Sequence, residues 1–370
     1  MSLRIATFNV ENLMRRFDFS GFRNQLYADR SLTLFEIKDE AEYRLLEKAR
    51  AIAHTDDTRQ LSALAIADAR ADIICLQEVD NIEALKAFEY GYLFKMIGEG
   101  YRQKYTLNGN DSRGIDVALM MREETAHGQP IEFVRMTSHA TLTYEELGLH
   151  TPELAELGNQ PNDRIFRRDC LEIDVKVGGL PLTIYVVHLK SMAGNRGNLP
   201  GREASMPIRV AETKAIRHII EARFGNEHAQ DKRWIICGDM NDYRERLVIT
   251  GDRYSGFQFQ PVQETESSLD VFLSDGFAEN VVERRPELDR WTLYHTRGPQ
   301  ERHLCQLDYI LLSPALARSN SNAMPDIIRQ GQPHRTPFPP GQAVELYPRV
   351  GWDRPKASDH CPVAISLDIV

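Results

Sequence analysis

Hydrophobic residues in this chain gather into short runs of strand length, each closed or opened by an acid, an amide or a histidine. LRIATFN ends at Asn9, DIICLQE at Glu78, LTIYVVH at His188, and WIICGDMN at Asp239 and Asn241. LDYILLS instead begins at Asp308, and SDHCPVAISL opens with Asp359 and His360. Apolar runs of this length bounded by polar residues predict buried strands. If the polar ends converge on one pocket, the last two strands must run against the other four, and the sheets are mixed.

Helical spacing separates some of these runs. Leu45, Leu46, Ala49 and Ile52, then Leu61, Leu64 and Ile66, predict a long helix from about Asp39 to Ala69 that feeds into DIICLQE. A second helix is predicted from Pro207 to Phe224, with proline at its start, Ile208, Ala211, Ala215 and Ile219 on one face, and Gly225 after its end. Each helix precedes a strand that ends in an acid, which suggests a distant internal duplication. WTLYHTRGPQERHLCQLDYILLS reads as a hairpin around Gly298 and Pro299. Segments 137–162, 191–206 and 317–356 lack periodicity and read as insertions or rim loops. The last is rich in proline, runs straight into SDH, and is expected to overhang the pocket and select the substrate.

At 370 residues the chain could form two ordinary domains. Candidate site residues run from Asn9 to His360, however, and no cut leaves a self-contained site, so a single domain over 1–370 with those insertions is expected. Five cysteines form an odd set with no CxxC spacing; Cys75, Cys170, Cys237 and Cys361 lie in or beside apolar runs, as buried free thiols of a reducing compartment would. With no leader and no membrane-length apolar run, a cytoplasmic protein is expected.

A net charge of −9 argues against avid nonspecific binding to a polyanion, although a local basic groove remains compatible with it. Arg164, Arg167 and Arg168, then Arg196, Arg202 and Arg209, are the candidates for such a groove. Taken alone, a cluster of this kind reads as ion-paired or solvated surface.

The ordered strings TFNVENL, IICLQEVD, RGIDVALM, YVVHLK, CGDMND, LDYILLS and SDHCPV together resemble the endonuclease/exonuclease/phosphatase family across nearly the whole chain. The resemblance implies a DNase I-like fold, a four-layer α/β/β/α sandwich of two mixed β-sheets with helices outside. It also implies hydrolysis of phosphate esters assisted by a divalent metal. Hard oxygen donors at Glu78, Asn9, Glu11 and Asp359 suit Mg2+ or Mn2+, with Ca2+ as an alternative, better than zinc. Asp239 is the expected base or water-positioning group and Asn241 the phosphate holder. His360, fixed by Asp308, would stabilise charge on the phosphoryl group.

His188 resembles the DNase I, sphingomyelinase and 5-phosphatase branches rather than the repair exonucleases. Lys190, Arg196, Arg202 and Arg113 could receive phosphate oxygens, and Asp111 and Asp116 belong to the same stretch as Arg113. Trp352, Trp291 and Tyr347 are candidate stacking aromatics on the rim, with ordinary packing as the alternative. P-loop, HExxH, GxSxG and dinucleotide fingerprints are absent.

The expected partner is therefore a phosphate-ester substrate, with nucleic acid a candidate and no obligate protein partner indicated. Hydrolysis of a small phosphorylated molecule fits the acidic balance. A binding protein on a spent enzyme fold is the third reading, disfavoured by the complete set of ligand and acid–base residues.

Overall fold

The computed structural model describes residues 2–13, 39–41, 56–193, 199–296 and 302–370. In chain order, β1 (Ser2–Leu13), β2 (Ile73–Val79), β3 (Gln103–Thr106) and β4 (Asp116–Met121) begin one sheet. Then β5 (Ile131–Ser138), β6 (Cys170–Val177), β7 (Leu180–His188) and β8 (Trp234–Asp239) begin a second. β9 (Glu245–Asp252) and β10 (Gly256–Gln263) follow, then β11 (Glu279–Asn280), β12 (Leu293–His295), β13 (Arg302–Cys305), β14 (Asp308–Leu312), β15 (Asp326–Ile327) and β16 (Val363–Asp368).

Two six-stranded mixed sheets result, ordered β15-β16-β1-β2-β4-β3 and β11-β14-β8-β7-β6-β5. β1 and β2 are parallel, as are β7 and β8, whereas β16 runs against β1 and β14 against β8. The two late strands thus run in the direction their polar starts required. A smaller sheet, β10-β9-β13-β12, was not anticipated. It contains the predicted hairpin, with Leu293 opposite Cys305; the turn at Gly298 and Pro299 lies outside the described residues.

Period-two alternation builds the layers. Leu3 and Ile5 of β1 and Ile73 and Cys75 of β2 pack between the sheets against Ile184, Val186, Ile235, Cys237, Ile310 and Leu312. Their neighbours Ala6, Phe8, Ile74 and Leu76 face outward onto helix α1 (Asp56–Ala69) through Leu61 and Ile66. On the other side Tyr185, Val187 and Ile236 pack on helix α2 (Gly201–Phe224) through Ala211, Ala215, Ile216 and Ile220. The order of layers is helix, sheet, sheet, helix. β1 and β2, and β7 and β8, are parallel neighbours on opposite sheets, each pair with a helix between its strands in the chain.

Two helix boundaries are qualified. The predicted Asp39–Ala69 helix is described over α1, while residues 42–55 lie outside the described residues. α2 begins at Gly201, so Pro207 sits inside the helix rather than at its start, and 201–206 belong to it rather than to a loop. As the seventh residue of the helix, Pro207 forgoes the bond its N–H would have made to the Glu203 carbonyl, while Ser205 Oγ bonds the Gly201 carbonyl and Arg202 bonds Asp242 in that stretch. All five cysteines are buried free thiols. No described helix is long and apolar enough to cross a membrane.

Candidate active site

The same alternation that fills the interlayer core delivers the site. Asn9 continues the inward series Leu3, Ile5, Thr7; His188 continues Leu182, Ile184, Val186; Asp239 continues Ile235, Cys237; and Asp308 begins the series Ile310, Leu312. Strand register then aligns them. His188 lies beside Asp239 in the parallel β7–β8 ladder, and Asp308 lies opposite Asp239 in the antiparallel β8–β14 ladder. Gly238 makes that approach tight, because a Cβ there would stand 1.9 Å from the Val187 carbonyl oxygen.

The groups meet on one carboxylate. Asn9 Nδ2 donates to Asp239 Oδ2 at 3.0 Å across the two sheets; His188 Nε2 lies 3.4 Å and His360 Nε2 3.7 Å from the same oxygen. The other oxygen, Oδ1, accepts the Asn241 backbone N–H at 2.8 Å. Burial, with the nearby Asp308 charge, pushes the Asp239 carboxyl up from 3.8 to about 7, against the His360 charge and the two hydrogen bonds. His360 Nδ1 lies 2.9 Å from Asp308 Oδ2, as a donor to it. Burial alone would push the imidazolium down, but Asp308 and Asp239 outweigh it and hold the His360 pKa well above its ordinary value. His188 goes the other way: burial and the charges of Arg168, Arg113 and His360 hold it well below, and it is neutral. Among the described residues His188 Nδ1 has no hydrogen-bond partner, which leaves the ring proton on Nε2, facing Asp239.

Backbone conformation aims the remaining groups. Glu11, Asn12, Glu78 and Asn241 all have left-handed φ, at 50°, 63°, 67° and 48°. Four non-glycine residues in that region at one end of the sandwich mark a strained site. By strict alternation Glu78 would point outward; its left-handed φ, at the shift in the β2–β4 register between Gln77 and Val79, breaks the alternation. Asn12 N–H donates to Glu78 Oε2 at 2.9 Å, and among the described residues the second oxygen of Glu78 has no partner. Glu78 is half-buried. Glu78, with the Asn9 amide oxygen on the neighbouring strand, fits a hard divalent cation in donor chemistry. Glu11 is already paired from within the chain: Lys356 Nζ lies 3.2 Å from its Oε2, and Arg354 bonds to Oε1. Among the described residues no three His, Cys, Asp or Glu side chains converge on one metal position.

The expected phosphate contacts separate. Arg113 pairs with Asp111 at 3.1 Å and is part-exposed; Lys190 Nζ donates to the Ser191 carbonyl at 3.1 Å. Arg202 turns away into a buried network, bonded to Asp242 at 2.8 Å, to Glu264 at 3.1 Å and to the carbonyls of Tyr243 and Glu266. Arg196 lies outside the described residues. Arg168 and Arg209 are buried rather than groove-lining. Asp116 accepts the Gly109 N–H at 2.8 Å. Of the aromatics, Trp291 is core under the Arg329 guanidinium, Tyr347 bonds Asp68, and Trp352 is exposed with Arg253 stacked 3.9 Å from its ring centre.

Residues that the sequence reading passed over support the site. Thr292 Oγ1 donates to Asp308 Oδ2 at 2.6 Å while accepting the N–H groups of Leu307 and Asp308. Ser358 Oγ ties the Asn9 carbonyl at 2.7 Å. The Leu189 carbonyl receives both Arg168 and the Asn241 amide, at 3.0 and 3.1 Å. Glu212, fully buried on α2, accepts the backbone N–H groups of Arg167 and Lys190 at 2.9 and 2.7 Å, pinning the residues beside Arg168 and His188. Glu212 had a signal: a charge on the apolar face shared by Ile208, Ala211, Ala215 and Ile219. Thr292 had none.

A family model for the endonuclease/exonuclease/phosphatase family matches residues 6–360, from the strand that carries Asn9 to His360 itself. The chain belongs to that family. No curated protein matches it. Among solved structures, the human Nocturnin catalytic domain with bound sulfate is 14% identical with a TM-score of 0.51, covering 100% of this chain and 95% of that one. Zebrafish (D. rerio) TDP2 with a single-strand DNA product is 15% identical at a TM-score of 0.48, covering 100% and 99%. A family protein from Leptotrichia buccalis is 13% identical at 0.45, covering 99% and 100%. At these identities the Nocturnin likeness bears on the fold alone, which is the DNase I-like sandwich described above.

Proposed function

We propose that this member of the family hydrolyses phosphate esters with a divalent metal, as a phosphodiesterase of nucleic-acid type. The observation that carries the reading is the convergence of Asn9, His188 and His360 on one oxygen of a buried Asp239. A carboxyl near 7 is matched to taking a proton from water at neutral pH. Asp239 Oδ2 orients the attacking water and accepts its proton, with the Asn9 amide holding that oxygen in place. His360, charged and backed by Asp308, presents Nε2–H to the phosphoryl or leaving oxygen. His188 is a neutral donor from Nε2, and the Asn241 amide, with one N–H on the Leu189 carbonyl, keeps a second for a phosphoryl oxygen. A cation at Glu78 and Asn9, Mg2+ or Mn2+ by its hard oxygen donors, would supply charge neutralisation at the phosphoryl group.

Of the arginines expected to line a basic groove, Arg168, Arg202 and Arg209 are internal among the described residues. That observation favours a second reading, a compact phosphodiester or phosphomonoester. One panel separates the two: plasmid, single-stranded DNA, RNA, bis-p-nitrophenyl phosphate and p-nitrophenyl phosphate with Mg2+ or Mn2+, for wild type, Asp239→Asn and His360→Ala. Polymer cleavage lost in both variants supports the nuclease. Activity on small esters alone, lost in both, supports the second reading, and activity that survives both substitutions refutes the site assignment.

A further inference from the structure

Two segments that start from the active site meet again at its rim. One is the loop that leads into His360. Within it Arg354 bonds Glu11, which accepts the Asp359 N–H, and Trp352 stands two residues before Arg354, a span of at most about 7 Å between α-carbons. The other is the β9–β10 hairpin, which begins six residues after Asp239 in the sheet whose Leu293 lies opposite His360. They join where the Arg253 guanidinium lies over the Trp352 ring, 3.9 Å from its centre. Main-chain bonds hold both partners. Arg335 N–H donates to the Trp352 carbonyl and His334 N–H to the Gly351 carbonyl, each at 3.0 Å, and Arg253 Nη2 donates to the His334 carbonyl at 3.0 Å. Asp252 Oδ1 ties the hairpin tip by accepting the N–H groups of Tyr254 and Ser255 at 2.9 and 2.7 Å. The ring so fixed is 54% exposed, and among the described residues Arg253 pairs with no carboxylate. A held indole with a guanidinium on one face and half its surface in water is a flat seat beside a positive charge. An unpaired nucleobase and its phosphate match that surface, whereas a duplex keeps its base faces stacked on one another. The adjoining Arg335 and Asp353 form an ion pair at 2.8 Å, so the ring stands among charges and not in an apolar patch of the kind a lipid would enter.

We propose that Trp352, backed by Arg253, is a stacking platform for an unpaired nucleobase of the substrate strand and directs the site to single-stranded nucleic acid. The inference rests on the nucleic-acid reading given under Proposed function; a compact ester leaves the platform unused. It is tested on the full chain carrying Asp239→Asn, which holds the strand uncut, in Mg2+. Trp234 and Trp291 are buried, so fluorescence lost on adding DNA reads Trp352. A short oligo(dT) should quench saturably, and the same strand built of abasic residues should bind at least about fivefold more weakly. Adding Trp352→Ala should weaken labelled oligo(dT), followed by anisotropy, by about 5- to 150-fold, the range of one base–aromatic stack, and should erase the difference between the two strands. Trp352→Phe should keep most of it. Three results overturn the proposal: no binding of oligo(dT), equal binding of the two strands by the Asp239→Asn protein, or undiminished oligo(dT) affinity after Trp352→Ala. The second needs no change at Trp352 and decides even if Trp352→Ala does not fold. Hydrolysis of bis-p-nitrophenyl phosphate by a wild type that binds no oligo(dT) refutes the platform and leaves the hydrolase. Base-dependent quenching beside a wild type that hydrolyses nothing sustains the platform and refutes the hydrolase.

Discussion

Asp239→Asn should abolish hydrolysis and yet gain stability relative to wild type as pH rises. Asp239 is 1% exposed, and its carboxyl titrates near 7 in the folded chain against 3.8 in its ordinary state. A folded-state pKa above the unfolded one means that the group's contribution is fully present below about pH 3.8 and is lost progressively up to about 7. At 1.36 kcal/mol for each tenfold step, wild type forfeits ~4 kcal/mol over that window, an order-of-magnitude figure for a group coupled to His360. Asn cannot ionise and forfeits nothing. It does bring an amide where Oδ2 accepted Asn9 Nδ2, a pH-independent cost of about 1–3 kcal/mol. The difference in unfolding free energy, variant minus wild type, should therefore be negative near pH 4 and climb by ~4 kcal/mol by pH 8. Urea denaturation followed by tryptophan fluorescence, at half-unit pH intervals in EDTA, measures it. A difference that stays flat, or falls with pH, refutes the buried-carboxylate account whatever happens to activity.

Asp308→Asn should lower the His360 pKa, since Asp308 is the largest influence raising it, and so move the basic limb of the pH–rate profile to lower pH; His360→Ala should cost about 10²–10⁴ in rate. Glu212→Ala, which orphans two buried N–H groups, should cost about 2–5 kcal/mol in urea denaturation, with Glu212→Gln losing less; equal losses would contradict the clamp. Asp242→Ala leaves the buried Arg202 without its 2.8 Å partner and should cost about 3–5 kcal/mol, whereas an exposed pair such as Lys86 and Glu83 should be worth under about 1 kcal/mol. Gly238→Ala must push β8 from β7 beside His188, and activity should fall further than the thermal midpoint alone explains, with Gly276→Ala, in open space, sparing activity.

What could be read from the sequence was whatever the two-residue period controls. Asn9, His188, Asp239 and Asp308 are end members of inward-facing series, so their convergence follows from strand polarity and alternation. Glu78 escapes that logic, since a left-handed φ redirects it, and only its place in LQEVD singled it out. Arg202 looked like any surface arginine because its partners, Asp242 and Glu264, are distant in sequence. Pro207 misled the helix boundary by standing where a first-turn proline is common. Thr292 and Lys356 meet their partners through tertiary contacts, Asp308 16 residues on for the first and Glu11 of β1 for the second, and leave no local pattern.

The first strand pairs along half of its length with the last, Ser2 opposite Asp368 through Thr7 opposite Val363. Synthesis runs from the N-terminus, so a nascent chain holds Asn9, Glu78 and Asp239 long before it has His360, and β1 waits with one edge bare until β16 arrives. On the proposed assignment, a nascent chain is inert until Asp359 and His360 have been added and β16 has closed the edge of β1. The same delay leaves β1 with an unpaired edge, the kind of surface on which a strand of another chain can add.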